Sequence, residues 1–168
     1  MNYEVTIGIP TYNAVDYIGK TMESALNQTF NSIEYLIVDD CGNDGTINIV
    51  ERFQKEHQRG KDIRILYNKQ NLGVGKTRNM ILEQAQGEYL FFLDSDDVLE
   101  SDAIEKMIGV ARQYQAEVVY GSWIRVDNVH HSPPNITIRF EALETWRIGD
   151  VCVQELFFFP HLSLQCTF

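Results

Sequence analysis

The chain is poor in cysteine and in positive charge, and it has no long apolar run. Its three cysteines, Cys41, Cys152 and Cys166, show no metal-ligand spacing, and an odd count does not build a disulfide framework. A reducing, cytoplasmic setting is the simplest expectation. Fourteen Lys and Arg stand against 24 Asp and Glu, a formal net charge of −10. That balance argues against a general nucleic-acid-binding surface. An anionic ligand would have to be held by a metal and a few placed donors. No stretch approaches the length of a membrane span. Met1-Asn2-Tyr3-Glu4 carries no basic region ahead of an apolar run, so no signal peptide is expected there. Internal repeats and linkers are absent too. Hydrophobic residues still make up 44% of 168, which argues against disorder and suffices for one compact domain with a core.

What is present is an alternation. Val5–Ile9, stopped by Pro10, reads as a strand, as do Tyr35–Val38, Ile63–Tyr67, Tyr89–Leu93 and Glu117–Tyr120. Between them lie helical patterns. Tyr17, Ile18, Thr21, Met22, Ala25 and Leu26 share one face, with Asp16 as the expected cap. A second helix starts at Thr46 and carries Ile49, Val50 and Phe53; a third buries Met80, Ile81 and Ala85 and ends at Gly87. Leu99 to Tyr114 is helical, with Ile104, Met107, Ile108 and Ala111 inward. Strands alternating with helices predict an α/β fold, a mostly parallel sheet with helices on both faces. After Val126 the pattern weakens. The core is expected to span 1–126, followed by an irregular 127–168 that includes the loop His130–Asn135 and the apolar Phe157-Phe158-Phe159.

In such sheets ligands gather at the carboxyl ends of strands. Pro10-Thr11-Tyr12-Asn13, Asp39-Asp40 and Asp94-Ser95-Asp96-Asp97 all sit there. Clustered carboxylates repel one another, and burying them unpaired is costly. A divalent cation removes both problems, since Mg²⁺ and Mn²⁺ take oxygen ligands. The last cluster therefore points to a metal site holding a phosphate-bearing substrate; a solvated turn that caps the next helix is the plainer reading.

Several familiar patterns match only in part. Gly73-Val74-Gly75-Lys76-Thr77 imitates the end of a P-loop, but Gln70 stands where a glycine is required, and Lys76 is expected to be an exposed residue at a helix start. Phe91 to Val98 is similar to the first motif of haloacid-dehalogenase-type phosphatases, which lies nearer the N-terminus in that family. Asp39-Asp40 does not follow the order of a receiver domain. Pro10 to Asn13 replaces the glycine-rich turn of a dinucleotide-binding fold.

Taken in order, the motifs closely resemble the family 2 inverting glycosyltransferases of the GT-A fold. Val5 to Asn13 is similar to their first strand and turn, and Ser24 to Phe30 to their first helix and its exit. Glu34 to Asp40 with Asp44 and Thr46, then Asn71-Leu72-Gly73 and Arg78-Asn79, match in turn. Gly87 to Asp97 matches the strand that ends in Asp-x-Asp. The match runs over roughly residues 3–120. It implies a GT-A, Rossmann-like sheet and a nucleotide-sugar donor, usually of uridine. It also implies Mn²⁺ or Mg²⁺ as cofactor and an acceptor hydroxyl on a sugar or lipid-linked glycan. By this resemblance Pro10 and Tyr12 would line the base pocket and Asp40 would accept from the base N–H. Arg78 would lie near the base and the acidic cluster. Asp94 and Asp96 would hold ribose and metal, with Asp97 as a second candidate for the metal.

Two departures stand out. Where the family usually has Ser beside the acidic pair, this chain has Cys41 and Gly42. Nothing after Asp127 resembles the acceptor-binding segment with its general base, so no base is assigned among Glu141, Glu144, Asp150 and Glu155. The chain is expected to be the donor-binding portion of a longer enzyme of cell-surface polysaccharide or glycoconjugate synthesis. No nucleic-acid partner is expected, and the full protein would associate with a membrane peripherally if at all. The alternatives are a nucleotide-sugar-binding module without transfer activity and a phosphatase of the haloacid dehalogenase type.

Overall fold

The computed structural model describes residues 3–121 and the backbone of Thr145–Trp146. Four strands, β1 (Tyr3–Thr11), β2 (Ile33–Asp39), β3 (Ile63–Tyr67) and β4 (Gly87–Phe92), form one parallel sheet in the order β3-β2-β1-β4. The helices are α1 (Ile18–Leu26), α2 (Thr46–Glu56), α3 (Val74–Gln84) and α4 (Ala103–Tyr114). A two-residue strand β5 (Val118–Val119) pairs antiparallel with β6 (Thr145–Trp146), apart from the main sheet.

Burial on both faces explains the strand composition. Tyr35 and Ile37 of β2 pack on one side with Ile7 and Ile9 of β1, against Ile18 and Met22 of α1, Val50 of α2 and Ile104 and Ile108 of α4. Leu36 and Val38 point the other way and meet Leu90, Phe92 and Ile81 of α3. Gly8 lies under α3: a Cβ added there would come 2.3 Å from Ile81 Cγ2. A side chain at position 8 would hold the helix off the sheet.

The order reverses beside β1. The chain runs outward from β1 through β2 to β3, then crosses by α3 to β4 on the far side of β1. The crevice at the carboxyl ends of β1 and β4 is thus the switch point, where ligands of open α/β sheets bind.

Several sequence-based expectations shift. Pro10 does not stop β1; it pairs with Val38. Pairing with β4 ends at Gly8 and Phe92, so beyond that point β1 has one neighbour, and a residue without an N–H is tolerated. Asp16 does not cap α1. The amides of Tyr17 and Ile18 donate to Ala14 O at 3.0 and 2.9 Å, and no side chain caps the helix. The helix expected from Leu99 starts at Ala103, and Gly87 begins β4 instead of ending α3. The fifth strand is limited to Val118–Val119 and lies outside the parallel sheet. The His130–Asn135 loop and the Phe157–Phe159 run lie outside the described residues.

Candidate functional site

The three acidic and turn segments converge as expected, because parallel neighbours end on one edge. Thr11 sits in register with Asp39, and Asp39 with Tyr67. The amide of Leu93 donates to Gly8 O at 3.0 Å, which brings the start of the acidic turn beside β1. Each segment is then locked by side chains.

The turn after β1 is tied to the loop after β2. Asn13, at φ +48°, accepts from the Asn43 amide at 3.0 Å. Asp44 accepts from the Val15 amide at 2.9 Å and from the Thr46 hydroxyl at 2.6 Å; that hydroxyl oxygen accepts in turn from the Ala14 amide at 2.8 Å. Burial works against the Asp44 carboxylate, but these donors outweigh it and hold its pKa low. Tyr12 is left half-exposed on this turn, while Pro10 is buried in the strand.

Asp39 and Asp40 differ sharply. Asp39 is nearly buried and accepts from the Gly42 amide at 3.1 Å. Burial and the neighbouring Asp40 and Asp44 raise its pKa despite that bond. The Asp40 carboxylate takes 2.7 Å from Asn68 Nδ2, 2.8 Å from the Leu72 amide and 2.8 Å from the Gly73 amide. Desolvation is opposed by these donors and the Thr77 hydroxyl, and the balance lowers its pKa.

The acidic turn after β4 is held from α1 and from Gln28 just beyond its end. Thr21 Oγ1 donates to Ser95 O at 2.9 Å, Ser24 Oγ accepts from the Leu99 amide at 3.1 Å, and Gln28 bonds Glu100 O at 2.7 Å and the Ile104 amide at 3.0 Å. Residues 21–28 thus act as a clamp on 95–104. Arg78 of α3 reaches Asp94 Oδ1 at 2.5 Å, and its guanidinium lies 5.8 Å from the Phe92 ring centroid. Asp96 and Asp97 are left facing solvent. Partial desolvation, with Asp96 and Asp94 close by, raises the Asp97 pKa.

The fit to a cation can be judged from these donors. Among the described residues no group of three or more His, Cys, Asp or Glu side chains converges as a metal cage. The chain offers two adjacent carboxylates, hard oxygen donors that hold protons more readily than usual at Asp97. That number suits Mg²⁺ or Mn²⁺ when phosphate oxygens and water complete the shell. Unsatisfied polar capacity is gathered here as well. Of the buried side-chain polar atoms without a partner among the described residues, Thr11 Oγ1, Asn68 Oδ1 and Arg78 Nε lie along this edge, and only Arg64 Nε lies elsewhere.

The structure therefore brings together Pro10, Tyr12, Asp40, Arg78, Asp94, Asp96 and Asp97. Lys76 is exposed at the start of α3, as expected. The sequence reading missed Asn68 and Thr77. Their only signal was an Asn directly after a strand and a Thr one turn into a helix, both common for unrelated reasons.

The model of glycosyl transferase family 2 matches residues 6–154. TuaG of Bacillus subtilis, assigned as a teichuronic acid biosynthesis glycosyltransferase, is 35% identical over 156 residues, 89% of this chain and 60% of its own length. The chondroitin synthase of Escherichia coli is 41% identical over 101 residues, 60% of this chain and 14% of that protein. Among solved structures, S. aureus TarS 1-349 in complex with UDP-GlcNAc matches with a TM-score of 0.64 at 30% identity, over 68% of this chain and 33% of that one. The mannosyltransferase PcManGT of Pyrobaculum calidifontis, in complex with GDP-Man and Mn²⁺, has a TM-score of 0.63 at 22% identity, over 70% of this chain and 35% of that one, a likeness of fold. The chain spans 60% or less of the length of each of these proteins. No comparison supports a phosphatase.

Proposed function

The chain belongs to glycosyl transferase family 2, and from that premise we propose that it is the donor-binding part of an enzyme moving a sugar from a nucleoside diphosphate to an acceptor hydroxyl. The donor is a uridine diphosphate sugar, the acceptor a sugar or lipid-linked hydroxyl, and the setting cytoplasmic synthesis of cell-surface polysaccharide or glycoconjugate. The observation that carries this reading is the 2.5 Å contact from Arg78 to Asp94. It joins α3, whose entry loop is fastened to Asp40, to the acidic turn. The edge thereby becomes one continuous wall with a base end and a phosphate end.

On this reading Pro10 and Tyr12 line the nucleobase, Asp40 stands at the base end, Asp94 meets the ribose, and Asp96 with Asp97 holds the cation. A bound divalent cation supplies Lewis-acid stabilisation of the diphosphate leaving group. Arg78 sets a second positive charge beside the same region, where negative charge grows as the bond to the sugar breaks. The acceptor oxygen attacks from the opposite face, which inverts the anomeric carbon, and its proton passes to a general base. No described residue is assigned that role; Glu141, Glu144, Asp150 and Glu155 lie outside the described residues. We place the boundary between donor core and acceptor part near residue 126.

Calorimetric titration with UDP, with and without Mn²⁺, tests the reading. Binding is expected only with the cation. Equal affinity after chelation would remove Asp96 and Asp97 from the role given to them. A second reading, donor binding without transfer by this chain alone, is favoured by the share of its relatives' length that it spans.

A further inference from the structure

We infer that Thr21 and Gln28 are positioning residues for the cation: together they fix the path of the acidic turn, and so the placing of Asp96 and Asp97. The inference rests on the reading of those two carboxylates as the cation site. Polar side chains cost stability when buried unless they are hydrogen-bonded. Thr21 is fully buried and Gln28 is 2% exposed, so their partners identify their role. Thr21 Oγ1 donates to Ser95 O at 2.9 Å, and Gln28 Nε2 donates to Glu100 O at 2.7 Å. Ser24 links the two. Its hydroxyl donates to Thr21 O at 2.9 Å and accepts from the Leu99 amide at 3.1 Å, and its carbonyl accepts a second bond from Gln28 Nε2 at 3.2 Å. One continuous network therefore holds backbone groups at 95, 99 and 100. Asp96 and Asp97 stand in the span between the first two of these points. That span is folded back as well, the Asp97 amide donating to Asp94 O at 3.1 Å. The carboxylates along it repel one another, so without the fastenings the span would relax by moving them apart.

Gln28 also joins the turn to the next helix. α4 starts without a side-chain cap of its own: Asp102 stands at the N-cap, but its carboxylate makes no cap bond and pairs with Lys106 at 2.8 Å. The Ile104 amide is one of the first-turn donors that a helix leaves open, and Gln28 Oε1 accepts from it at 3.0 Å. Thr29 repeats the tie, its amide donating to Ser101 O at 2.8 Å and its hydroxyl to Glu105 Oε2 at 2.6 Å. A single buried side-chain amide thus connects the exit of the turn to the start of α4, which packs in the core through Ile104 and Ile108. Any shift of that exit has to move α4 or break both bonds of Gln28.

Four variants of the full chain test the inference. Gln28→Met and Thr21→Val keep side-chain size and delete the hydrogen bonds, Thr21→Ser keeps the hydroxyl, and Val50→Ala opens a gap where α2 packs on the sheet. For each, Tm without ligand and the dissociation constant of UDP with saturating Mn²⁺ are measured on the same preparation, the latter at a temperature where the protein is folded. Gln28→Met and Thr21→Val are expected to weaken binding about tenfold, the loss typical when the support of a metal ligand is removed. Thr21→Ser is expected to bind as wild type does, although it gives up a buried methyl group, and Val50→Ala to lower Tm with no change in affinity. The split between Val and Ser at position 21 is the readout that a merely structural role would not move, since both changes destabilise the fold. Equal affinities in Thr21→Val and Thr21→Ser, or wild-type affinity in Gln28→Met, would overturn the inference. So would a loss of affinity in Val50→Ala as large as that in Gln28→Met. If Gln28→Met does not fold, the pair at position 21 decides. Wild type that binds UDP equally with and without Mn²⁺, or not at all, refutes the cation reading and the inference with it, a failure seen before any variant is compared.

Discussion

Replacing Arg78 with Met keeps the aliphatic stem and deletes the guanidinium, and its two consequences can be sized separately. The Arg78 and Asp94 side chains are 37% and 30% exposed, so water screens the pair and its contribution to folding is about 0.5–1 kcal/mol. The contact with the Phe92 ring adds about 0.5–1 kcal/mol. Against these stands the buried Nε with no partner; deleting it relieves about 1 kcal/mol. The net loss of stability is then ~1 kcal/mol or less, a fall in Tm of no more than about 4 °C for a chain of this length. Binding should suffer more. The variant loses a charge-assisted contact and frees Asp94 beside Asp96 and Asp97, so affinity for UDP with Mn²⁺ should fall about tenfold to a hundredfold. Thermal unfolding and calorimetry on the same samples give both numbers. Asp94→Asn, alone and combined, closes a cycle in which the two effects on binding should not add. A large drop in Tm with unchanged affinity would refute the reasoning and make Arg78 a structural residue.

Asp96→Asn should abolish most of the unfolding-temperature rise produced by UDP with Mn²⁺ while leaving the ligand-free protein as stable or slightly more so, because one repelling carboxylate is gone; a full ligand-induced rise would contradict the assignment. The pH profiles of the free and bound protein should diverge. Burial and its acidic neighbours raise the Asp97 pKa in the fold, so ionising it destabilises the free protein as pH rises through that value, whereas cation-dependent binding is lost as pH falls through it. Asp40 and Asp44 have lowered pKa values, and the stability they contribute is present above the ordinary carboxylate range and lost on acidification below it. Titrating Tm with and without ligand across that range checks all three signs. Gly8→Ala should cost about 1–3 kcal/mol in urea unfolding through the clash with Ile81, and adding Ile81→Ala should cost less than the two changes summed. Release of UDP from UDP-sugars by this chain, tried over several acceptors, should be slow or absent; brisk acceptor-dependent turnover would point to a base among Glu141, Glu144, Asp150 and Glu155.

The order of elements was legible because burial on both faces leaves continuous apolar strands, and because α1, α2 and α4 show a 3.6-residue period. The convergence of Pro10–Asn13, Asp39-Asp40 and Asp94–Asp97 follows once the strands are parallel. Boundaries were less legible. Nothing local distinguishes a proline inside β1 from one that ends it, since the answer depends on where β4 stops pairing. The stretch 95–102 has helix-compatible residues, yet its polar backbone groups are satisfied by Thr21, Ser24 and Gln28, some 70 positions earlier in sequence. The engagement of Asp40 by Asn68, Leu72 and Gly73 was hidden for the same reason: it is a contact between segments about 30 residues apart, and composition carries no trace of it.

The clamp from α1 has a further implication for how the acidic turn can evolve. Residues 95–102 have no regular structure, but their path is held by three polar side chains, Thr21 and Ser24 of α1 and Gln28 just beyond its end. On the proposed reading, cation affinity is therefore partly inherited from α1 and its exit. Drift at Thr21, Ser24 or Gln28 can retune or silence the acidic turn while every carboxylate in it stays unchanged, so a relative can keep Asp-x-Asp in its sequence after losing the geometry that made it useful.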